Sequence, residues 1–261
     1  MIGLFLGDTD FSKIVLKKIK KLKKKYFIID FSKNNDFAKE KNSHRISIGK
    51  FGKIIDLIKK QKSNKVLFAG KIAKPKFSTL RLDLKGIYYM PSIIKAAQLG
   101  DAAIIKVIIE ILKNEKINVI SSIHFNPELT GKKGLHTKIK PSRADIKSIN
   151  QGIKYLAKTN SYDHIQALVV RDNKIIAKED NRGTKKMITK LKNNSGGILI
   201  KFPKKKQDLR MDLPTIGIQT IKDCKKYGLK GIVLKSKKNI FLDKFKSIEF
   251  ADKNKIFILI K

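Results

Sequence analysis

Three charged side chains alternate with apolar ones in the segment KFPKKKQDLRMDLPTIG, residues 201–217. If this segment is an extended strand, Asp208, Arg210 and Asp212 share one face, because side chains at i, i+2 and i+4 point the same way. A carboxylate can bind a metal ion or orient a water molecule, and an arginine can hold an anion. The pattern therefore predicts a strand edge with an acid-base-acid row that could do chemistry.

The two aspartates of this row are too far apart to share one ion. At roughly 3.3 Å per residue, a straight strand separates Asp208 from Asp212 by about 13 Å. We therefore expect one aspartate to serve a metal or a water while the other orients a neighbour. The alternative is a half-exposed strand with a surface ion pair, which contributes about 0–1 kcal/mol. Spacing alone favours neither interpretation.

Length and cysteine content limit the class of protein. A chain of 261 residues can form two small domains, each with its own core. The single cysteine, Cys224, excludes an internal disulfide and a multi-cysteine zinc site, and we expect it to be a buried, inert thiol. No apolar run approaches the ~20 residues of a membrane span, and no basic leader precedes the apolar residues 2–7. We expect a cytoplasmic protein.

The formal net charge of +38 suggests nucleic acid or anionic lipid as a partner. Only six of the 60 basic residues are arginine, the residue that phosphate and base readers favour, and the lysines are spread over the whole chain. We therefore expect no specific nucleic-acid partner. Anionic headgroups attract basic residues by about 1 kcal/mol each near the surface, which predicts peripheral association with the inner-membrane surface.

Alternating strand and helix patterns predict an α/β protein of two domains. The N-terminal domain, residues 1–128, is expected to be Rossmann-like with a parallel sheet. Its strands are predicted at 2–7, 27–31, 65–70 and 117–123, and its helices at 11–26, 51–62 and 90–113, the last broken near Gly100-Asp101. The first turn, residues 7–10, lacks the glycines of a dinucleotide fingerprint, so NAD binding is poorly supported.

A linker is predicted at 129–141, where two glycines and one proline accompany few apolar residues. The second domain, residues 142–261, is expected to be a catalytic α/β domain. Its predicted helices are 142–157, 184–191 and 220–227, its predicted hairpin joins 166–170 to 174–177, and its other strands are 197–201, 232–234 and 256–260.

Several separated segments agree with one family. They are GKIAKPKFSTLRLDLKG at 70–86, LGDAAIIKVI at 99–108, PSRADIKSINQG at 141–152 and FPKKKQDLRMDLPTIGIQT at 202–220. In these segments the chain resembles the UDP-2,3-diacylglucosamine pyrophosphatases of the LpxI type, which act in lipid A synthesis. The order and spacing of the segments extend over nearly the whole chain, and DLPTIG is the most specific of them.

The resemblance implies a hydrolase that cleaves UDP-2,3-diacylglucosamine to UMP and 2,3-diacylglucosamine 1-phosphate, with water attacking the α-phosphorus and Mg²⁺ or another divalent cation assisting. It implies Asp212 as the catalytic carboxylate, Arg210 as the phosphate contact and Asp208 as a supporting residue. Asp212 and Glu179 are the implied metal ligands. The implied substrate-binding residues are Lys71, Lys74, Arg81, Asp83, Gly100, Asp101, Gln207 and Thr215.

Other interpretations remain open. Surface charge and a helix break would explain the charged residues and the glycine of the N-terminal domain equally simply. The segment Arg182-Gly183-Thr184-Lys185 carries basic residues where the family usually has a glutamate and an aspartate. That departure keeps open a nucleotide-sugar or lipid binding module without catalysis, and the charge keeps open a basic nucleic-acid-binding protein. We expect a lipid-linked UDP-sugar as the substrate partner and a monomer or homodimer as the assembly.

Overall fold

Residues 1–158, 165–191, 196–204 and 207–261 are described by the computed structural model, and their contacts divide them into two units. The first unit contains Met1–Asn126 together with the short segment Asp208–Asp212. The second contains Pro127–Gln207 and Leu213–Lys261. The chain therefore passes between the units three times. None of the helices in the described ranges is both long and apolar enough to cross a membrane.

The first unit is built on a five-stranded parallel sheet, in the order β3-β2-β1-β4-β5. Its strands are β1 (Ile2–Leu6), β2 (Tyr26–Asp30), β3 (Ser43–His44), β4 (Lys65–Ala69) and β5 (Asn118–Ile120). Its helices are α1 (Asp10–Lys21), α2 (Phe51–Lys60), α3 (Leu84–Leu99) and α4 (Asp101–Asn114). The Rossmann-like prediction for this half of the chain is confirmed.

The central strands of this sheet are nearly continuous apolar runs because helices cover both faces of a parallel sheet. The runs in β1, β2 and β4 are buried at almost every position. In α1 the buried residues include Val15, Leu16 and Ile19, whereas four of the five lysines of this helix are exposed. This spacing turns one stripe of the helix toward the core and leaves its lysines in water.

The predicted break in the long helical segment is confirmed at Gly100. This residue has a φ of 107°, a conformation that glycine adopts without the steric cost of a side chain. It ends α3 and precedes Asp101, the first residue of α4.

The second unit contains a six-stranded mixed sheet in the order β6-β13-β11-β9-β7-β8. Strands β9 (Ile198–Lys201), β11 (Gly231–Leu234) and β13 (Phe257–Ile260) are parallel. Antiparallel pairing adds β6 (Gly134–Leu135) to β13, β7 (Ala167–Arg171) to β9, and β8 (Lys174–Lys178) to β7. The predicted hairpin is confirmed.

The remaining elements of the second unit are α5 (Arg143–Lys158), α6 (Gly183–Thr189), β10 (Thr215–Ile216), α7 (Ile218–Lys226), β12 (Ile240–Phe241) and α8 (Lys244–Lys253).

The segment 129–141, expected to be a linker, is instead part of the second unit. Its residues Gly134–Leu135 form an edge strand, and the amide of Ile258 donates to the hydroxyl of Thr137 at 3.0 Å. A Cβ on Gly131 would lie 1.9 Å from Cδ1 of Ile260. This glycine therefore permits close packing against the sheet, whereas the sequence had suggested chain flexibility.

The predicted strand through Asp208, Arg210 and Asp212 is wrong. Strand β9 ends at Lys201, and the segment forms a tight turn in which the amides of Met211 and Asp212 donate to the carbonyl of Asp208. The carboxylate of Asp208 also accepts from the amide of Arg210 at 3.0 Å. An aspartate that binds the backbone two residues ahead stabilises a turn, and this local bonding overrides the alternating pattern.

Asp83 should contribute to folding because its carboxylate caps two helices at once. It accepts the amides of Gly52 and Lys53 at the start of α2 and the amide of Gly86 in α3, at 2.8–3.1 Å. Burial acts to raise the pKa of Asp83, but these three amides outweigh it and lower the pKa. We expect Asp83→Ala to reduce the free energy of unfolding by about 1–2 kcal/mol in urea titrations at pH 7.

Because this pKa is lowered by folding, the stabilisation is present at neutral pH and is lost as the pH falls through the lowered value. The difference between wild type and Asp83→Ala should therefore shrink under acid conditions. Asp56→Ala, an exposed position in α2, is the control. Equal stability of Asp83→Ala and this control at pH 7 would contradict the capping role.

Candidate active site

The turn Asp208–Asp212 lies at the carboxyl edge of the first sheet, the edge at which α/β proteins bind ligands. Ser121 directly follows β5, and its hydroxyl donates to the carbonyl of Leu209 at 3.2 Å. Met211 packs against the apolar core of this unit. One hydrogen bond and one apolar anchor thus hold the charged residues of the turn at the sheet edge.

Within the turn, Arg210 and Asp208 form a two-pronged ion pair. Nε of Arg210 donates to Oδ1 of Asp208 at 2.9 Å, and Nη2 donates to Oδ2 at 2.6 Å. Hydrogen bonding to Arg210 lowers the pKa of Asp208, and the same bond raises the pKa of Arg210. Asp208 is therefore ionised at neutral pH and fixes the plane of the guanidinium.

Asp212 closes the same turn. Its amide donates to the carbonyl of Asp208 at 3.0 Å, and the residue is half-buried. The turn therefore places Asp208, Arg210 and Asp212 in one compact segment, whereas the sequence predicts an extended strand that keeps the two aspartates apart. The separation of about 13 Å expected for a straight strand does not apply.

The crevice between β1 and β4, where a Rossmann-like sheet would take a dinucleotide, is closed by backbone pairing. The amides and carbonyls of Asp8 and Lys71 exchange two hydrogen bonds of 2.8 Å. A Cβ on Gly7 would lie 2.3 Å from the carbonyl oxygen of Lys71, so the two loops are in close contact. This pairing fixes the backbone of Lys71 and leaves its side chain exposed. It also agrees with the poor match to a dinucleotide fingerprint.

The other residues predicted in the first unit have different surroundings. Nζ of Lys74 lies 3.7 Å from Oδ1 of Asp101 in an exposed ion pair, and Arg81 is exposed. Gly100 forms the turn before α4. The Asp83 carboxylate is committed to capping two helices, so the structure gives it a folding role. Contact of any of these residues with substrate stays a prediction.

In the second unit, Glu179 lies at the edge where the parallel strands end. It follows β8 and is buried, with 8% of its surface exposed. Oε1 accepts from the hydroxyl of Thr184 at 2.6 Å, and Oε2 accepts from the amide of Gln166 at 3.0 Å. Nζ of Lys201, the last residue of β9, donates to the Thr184 hydroxyl at 2.9 Å.

This network was not predicted. Thr184 lies in the segment that departs from the family pattern, and Lys201 ends an apolar strand. A lysine at the carboxyl end of a buried parallel strand is a signal that could have identified Lys201, because that edge is the usual ligand-binding edge. Arg182 turns away from the network to pair with exposed Asp180.

Gln207 and Thr215, the other two residues predicted in the second unit, differ in their hydrogen bonding. Gln207 is buried, and its Oε1 accepts from the amide of Lys204 at 2.9 Å. Its buried Nε2 has no hydrogen-bond partner within the described parts of the chain. The hydroxyl of Thr215 donates to the carbonyl of Leu213 at 3.0 Å, which supports the start of β10.

A divalent cation needs carboxylate oxygens as ligands, and several candidate carboxylates of this chain already accept protein hydrogen bonds. Across the described ranges, no group of three or more His, Cys, Asp or Glu residues has the arrangement of a metal site. Both oxygens of Glu179 accept protein hydrogen bonds, and both oxygens of Asp208 accept from Arg210. Mg²⁺ often binds through one or two carboxylates plus substrate phosphates. The assignment of Asp212 and Glu179 as ligands of such an ion stays a prediction.

The thiol of Cys224 is buried in the core of the second unit, and burial raises its pKa. The expectation of an inert thiol is therefore confirmed, since the reactive thiolate is disfavoured there.

Comparison with known proteins identifies both halves of the chain. Residues 1–129 match the family described as LpxI N-terminal domain, and residues 132–259 match the family described as LpxI C-terminal domain. A protein of Caulobacter vibrioides named UDP-2,3-diacylglucosamine pyrophosphatase LpxI is 30% identical over 224 residues. The aligned region covers 82% of this chain and 80% of that protein.

The Glu179 network should stabilise the second unit. Removal of the carboxylate leaves the buried Thr184 hydroxyl and the Gln166 amide without their acceptor, so we expect Glu179→Ala to lower the free energy of unfolding by about 1–3 kcal/mol. The measurement is urea denaturation followed by circular dichroism. Glu249→Ala removes an exposed carboxylate paired with Lys253 and should change stability by less than about 0.5 kcal/mol. Indistinguishable midpoints for the two variants would argue against a structural role for Glu179.

Proposed function

Because this chain belongs to the LpxI family, we propose that it hydrolyses UDP-2,3-diacylglucosamine to UMP and 2,3-diacylglucosamine 1-phosphate in lipid A biosynthesis. Both domain matches and the named relative support this activity. The observation that carries the proposal in this chain is the Asp208–Asp212 turn, which holds two carboxylates and an arginine at the carboxyl edge of a parallel sheet.

The proposed reaction is water attack on the α-phosphorus. The water oxygen bonds to this phosphorus, and the bond from the phosphorus to the bridging oxygen breaks. The bridging oxygen leaves with the β-phosphate as part of the sugar 1-phosphate, and the remainder is UMP. Asp212 orients the water and accepts its proton as the new bond forms, the role of a general base.

Arg210 is proposed to stabilise the charge that develops on the phosphate oxygens. Its Nε and Nη2 already bind Asp208, so the guanidinium is oriented before substrate arrives. Donors directed at developing charge cost little reorganisation during the reaction. Nη1, on the other edge, has no acceptor among the residues that the structure describes and is proposed to donate to a phosphate oxygen. Asp208 acts here as a positioning residue.

A divalent cation such as Mg²⁺ is proposed as the cofactor, and Asp212 would hold it together with the substrate. Such an ion would neutralise pyrophosphate charge and favour ionisation of a bound water. The exposed cations Lys71, Lys74 and Arg81 are proposed to attract the nucleotide pyrophosphate. In the second unit, the buried Nε2 of Gln207 is proposed as a donor to the substrate, because a buried amide gains from a partner.

The first test is UMP release from UDP-2,3-diacylglucosamine in detergent micelles, with Mg²⁺ or with a chelator. We expect release by the wild type that the chelator suppresses and that Asp212→Asn lowers by at least about 100-fold. Asp223→Asn, a half-buried position in α7 whose carboxylate accepts from the side chain of Gln219, is the control and should retain full activity. Binding of the substrate by the wild type without release would contradict the hydrolase and favour a binding module. Tight, salt-sensitive nucleic-acid binding without release would favour the basic nucleic-acid binder.

Substitutions in the Arg210–Asp208 ion pair distinguish the residue that contacts the phosphate from the residue that positions it. We expect Arg210→Ala to lower kcat/KM by about 10²–10³-fold, the effect of losing a donor to developing charge. Asp208→Asn keeps the arginine but releases its orientation, and a loss of about 10-fold is expected because a misplaced group retains part of its effect. A larger loss in Asp208→Asn than in Arg210→Ala would assign the chemistry to Asp208. Circular dichroism confirms that each variant is folded.

A further inference from the structure

One face of α3 exposes apolar side chains to solvent. Leu84 and Tyr88 are 86% and 77% exposed, and Ile87, Ile94 and Leu99 are also exposed. The opposite face, with Gly86, Met90, Ile93 and Ala96, is buried in the unit. The positions 84, 87, 88, 91 and 94 recur at intervals of three and four residues, so these side chains form one stripe along the helix. We call this stripe the α3 apolar face.

A belt of basic residues flanks this face in the sequence. The segment 71–99 contains the basic residues Lys71, Lys74, Lys76, Arg81, Lys85 and Lys95. Its one acidic residue is Asp83, whose carboxylate is committed to helix capping. Lys85 is bound to Glu115, whereas Lys76, Arg81 and Lys95 are exposed. An exposed apolar stripe beside exposed positive charge is typical of helices that lie in a membrane interface.

We propose that the α3 apolar face inserts into the headgroup region of an anionic lipid bilayer, with the flanking basic residues contacting lipid phosphates. A second copy of this chain also carries +38 and would bring like charges together at this belt. An anionic bilayer is complementary to both the α3 apolar face and the basic residues that flank it, because it accepts apolar side chains and attracts basic ones.

Pro91 indicates the depth of insertion. It lies inside α3 on the exposed side and has no amide hydrogen, so the carbonyl of Ile87 does not receive the usual helical hydrogen bond. Such a carbonyl is costly in the hydrocarbon core and is satisfied by water at the headgroup level. The helix should therefore lie in the interface with Leu84 and Tyr88 directed inward, without crossing the bilayer.

The chain contains no tryptophan, so one introduced indole reports on one position. We expect the emission of Tyr88→Trp to shift to the blue with vesicles of equal phosphatidylglycerol and phosphatidylcholine, and lipids brominated near the headgroup should quench it. Phe245→Trp is the matched control, because Phe245 is 85% exposed in α8 of the second unit. Its emission should not change. Blue shifts at both positions, or at neither, would overturn the proposal.

Vesicle sedimentation measures the strength of binding. The double variant Leu84→Asp with Ile87→Asp should lower partition onto the anionic vesicles by about tenfold or more, since two apolar side chains no longer insert. Phe245→Asp should partition like the wild type. Lys95→Glu should weaken binding, and added salt should reduce this difference. The proposal would be contradicted if the wild type bound neutral phosphatidylcholine vesicles as strongly as anionic ones. It would also be contradicted if the double variant, with an unchanged thermal midpoint, bound anionic vesicles as strongly as the wild type does.

This inference rests on the proposed function in one respect only, because binding to a bilayer would bring the enzyme to a lipid substrate. The vesicles contain no UDP-lipid, so binding is measured apart from catalysis. In detergent micelles, the double variant should release UMP at the wild-type rate. A blue shift of Tyr88→Trp that depends on protein concentration without vesicles would instead identify the α3 apolar face as an interface between copies and overturn the proposal.

Discussion

The hydrogen bonds that close the turn at Asp208 determine where the candidate chemistry lies. The carbonyl of Asp208 receives two amides, and its carboxylate receives the amide and the guanidinium of Arg210. One residue thus accepts three amides of the five-residue segment and neutralises the charge of Arg210. Because these amides are paired locally, the segment can leave the second unit and join the edge of the first sheet at a smaller cost in lost hydrogen bonds.

That arrangement also explains a division of roles between the two aspartates. Asp208 is occupied by an arginine that lowers its pKa, so it remains an anion and an acceptor. A proton acceptor in hydrolysis must be able to change protonation during the reaction, which is the role proposed for Asp212. In the proposed mechanism these two carboxylates, four residues apart, have different roles, as in other sites where the environment sets the part that each acid plays.

The structure shows the surroundings of the segment 182–185, where basic residues replace the acids that are usual in the family. Arg182 pairs with Asp180, outside the buried network, while Glu179 is held by Thr184 and a backbone amide. Lys201 supplies positive charge beside the same hydroxyl. Both carboxylate oxygens of Glu179 are thus engaged by protein donors. The cation proposed for the reaction depends on Asp212 instead.

The sequence by itself determined the parallel sheet of the first unit, the hairpin, the break at Gly100 and the buried thiol. These features depend on local patterns: apolar runs, turn residues and helical spacing. The sequence also identified Asp208, Arg210 and Asp212 as one candidate group, but their expected spacing assumed a strand that the structure replaces with a turn. Helix α8 was missed because its pattern of apolar residues is weak, with Ser247 and Ala251 as its buried positions.

Only the tertiary structure decided which sheet the turn joins and which carboxylates are already engaged. The alternation around Arg210 predicts a strand, but hydrogen bonds to Asp208 and the packing of Met211 on a distant core favour a turn. Likewise, the pairing of Gly134–Leu135 with β13 and the capping of two helices by Asp83 join residues far apart in sequence. Local preference cannot encode such partners, because their stabilisation arises only when distant segments meet.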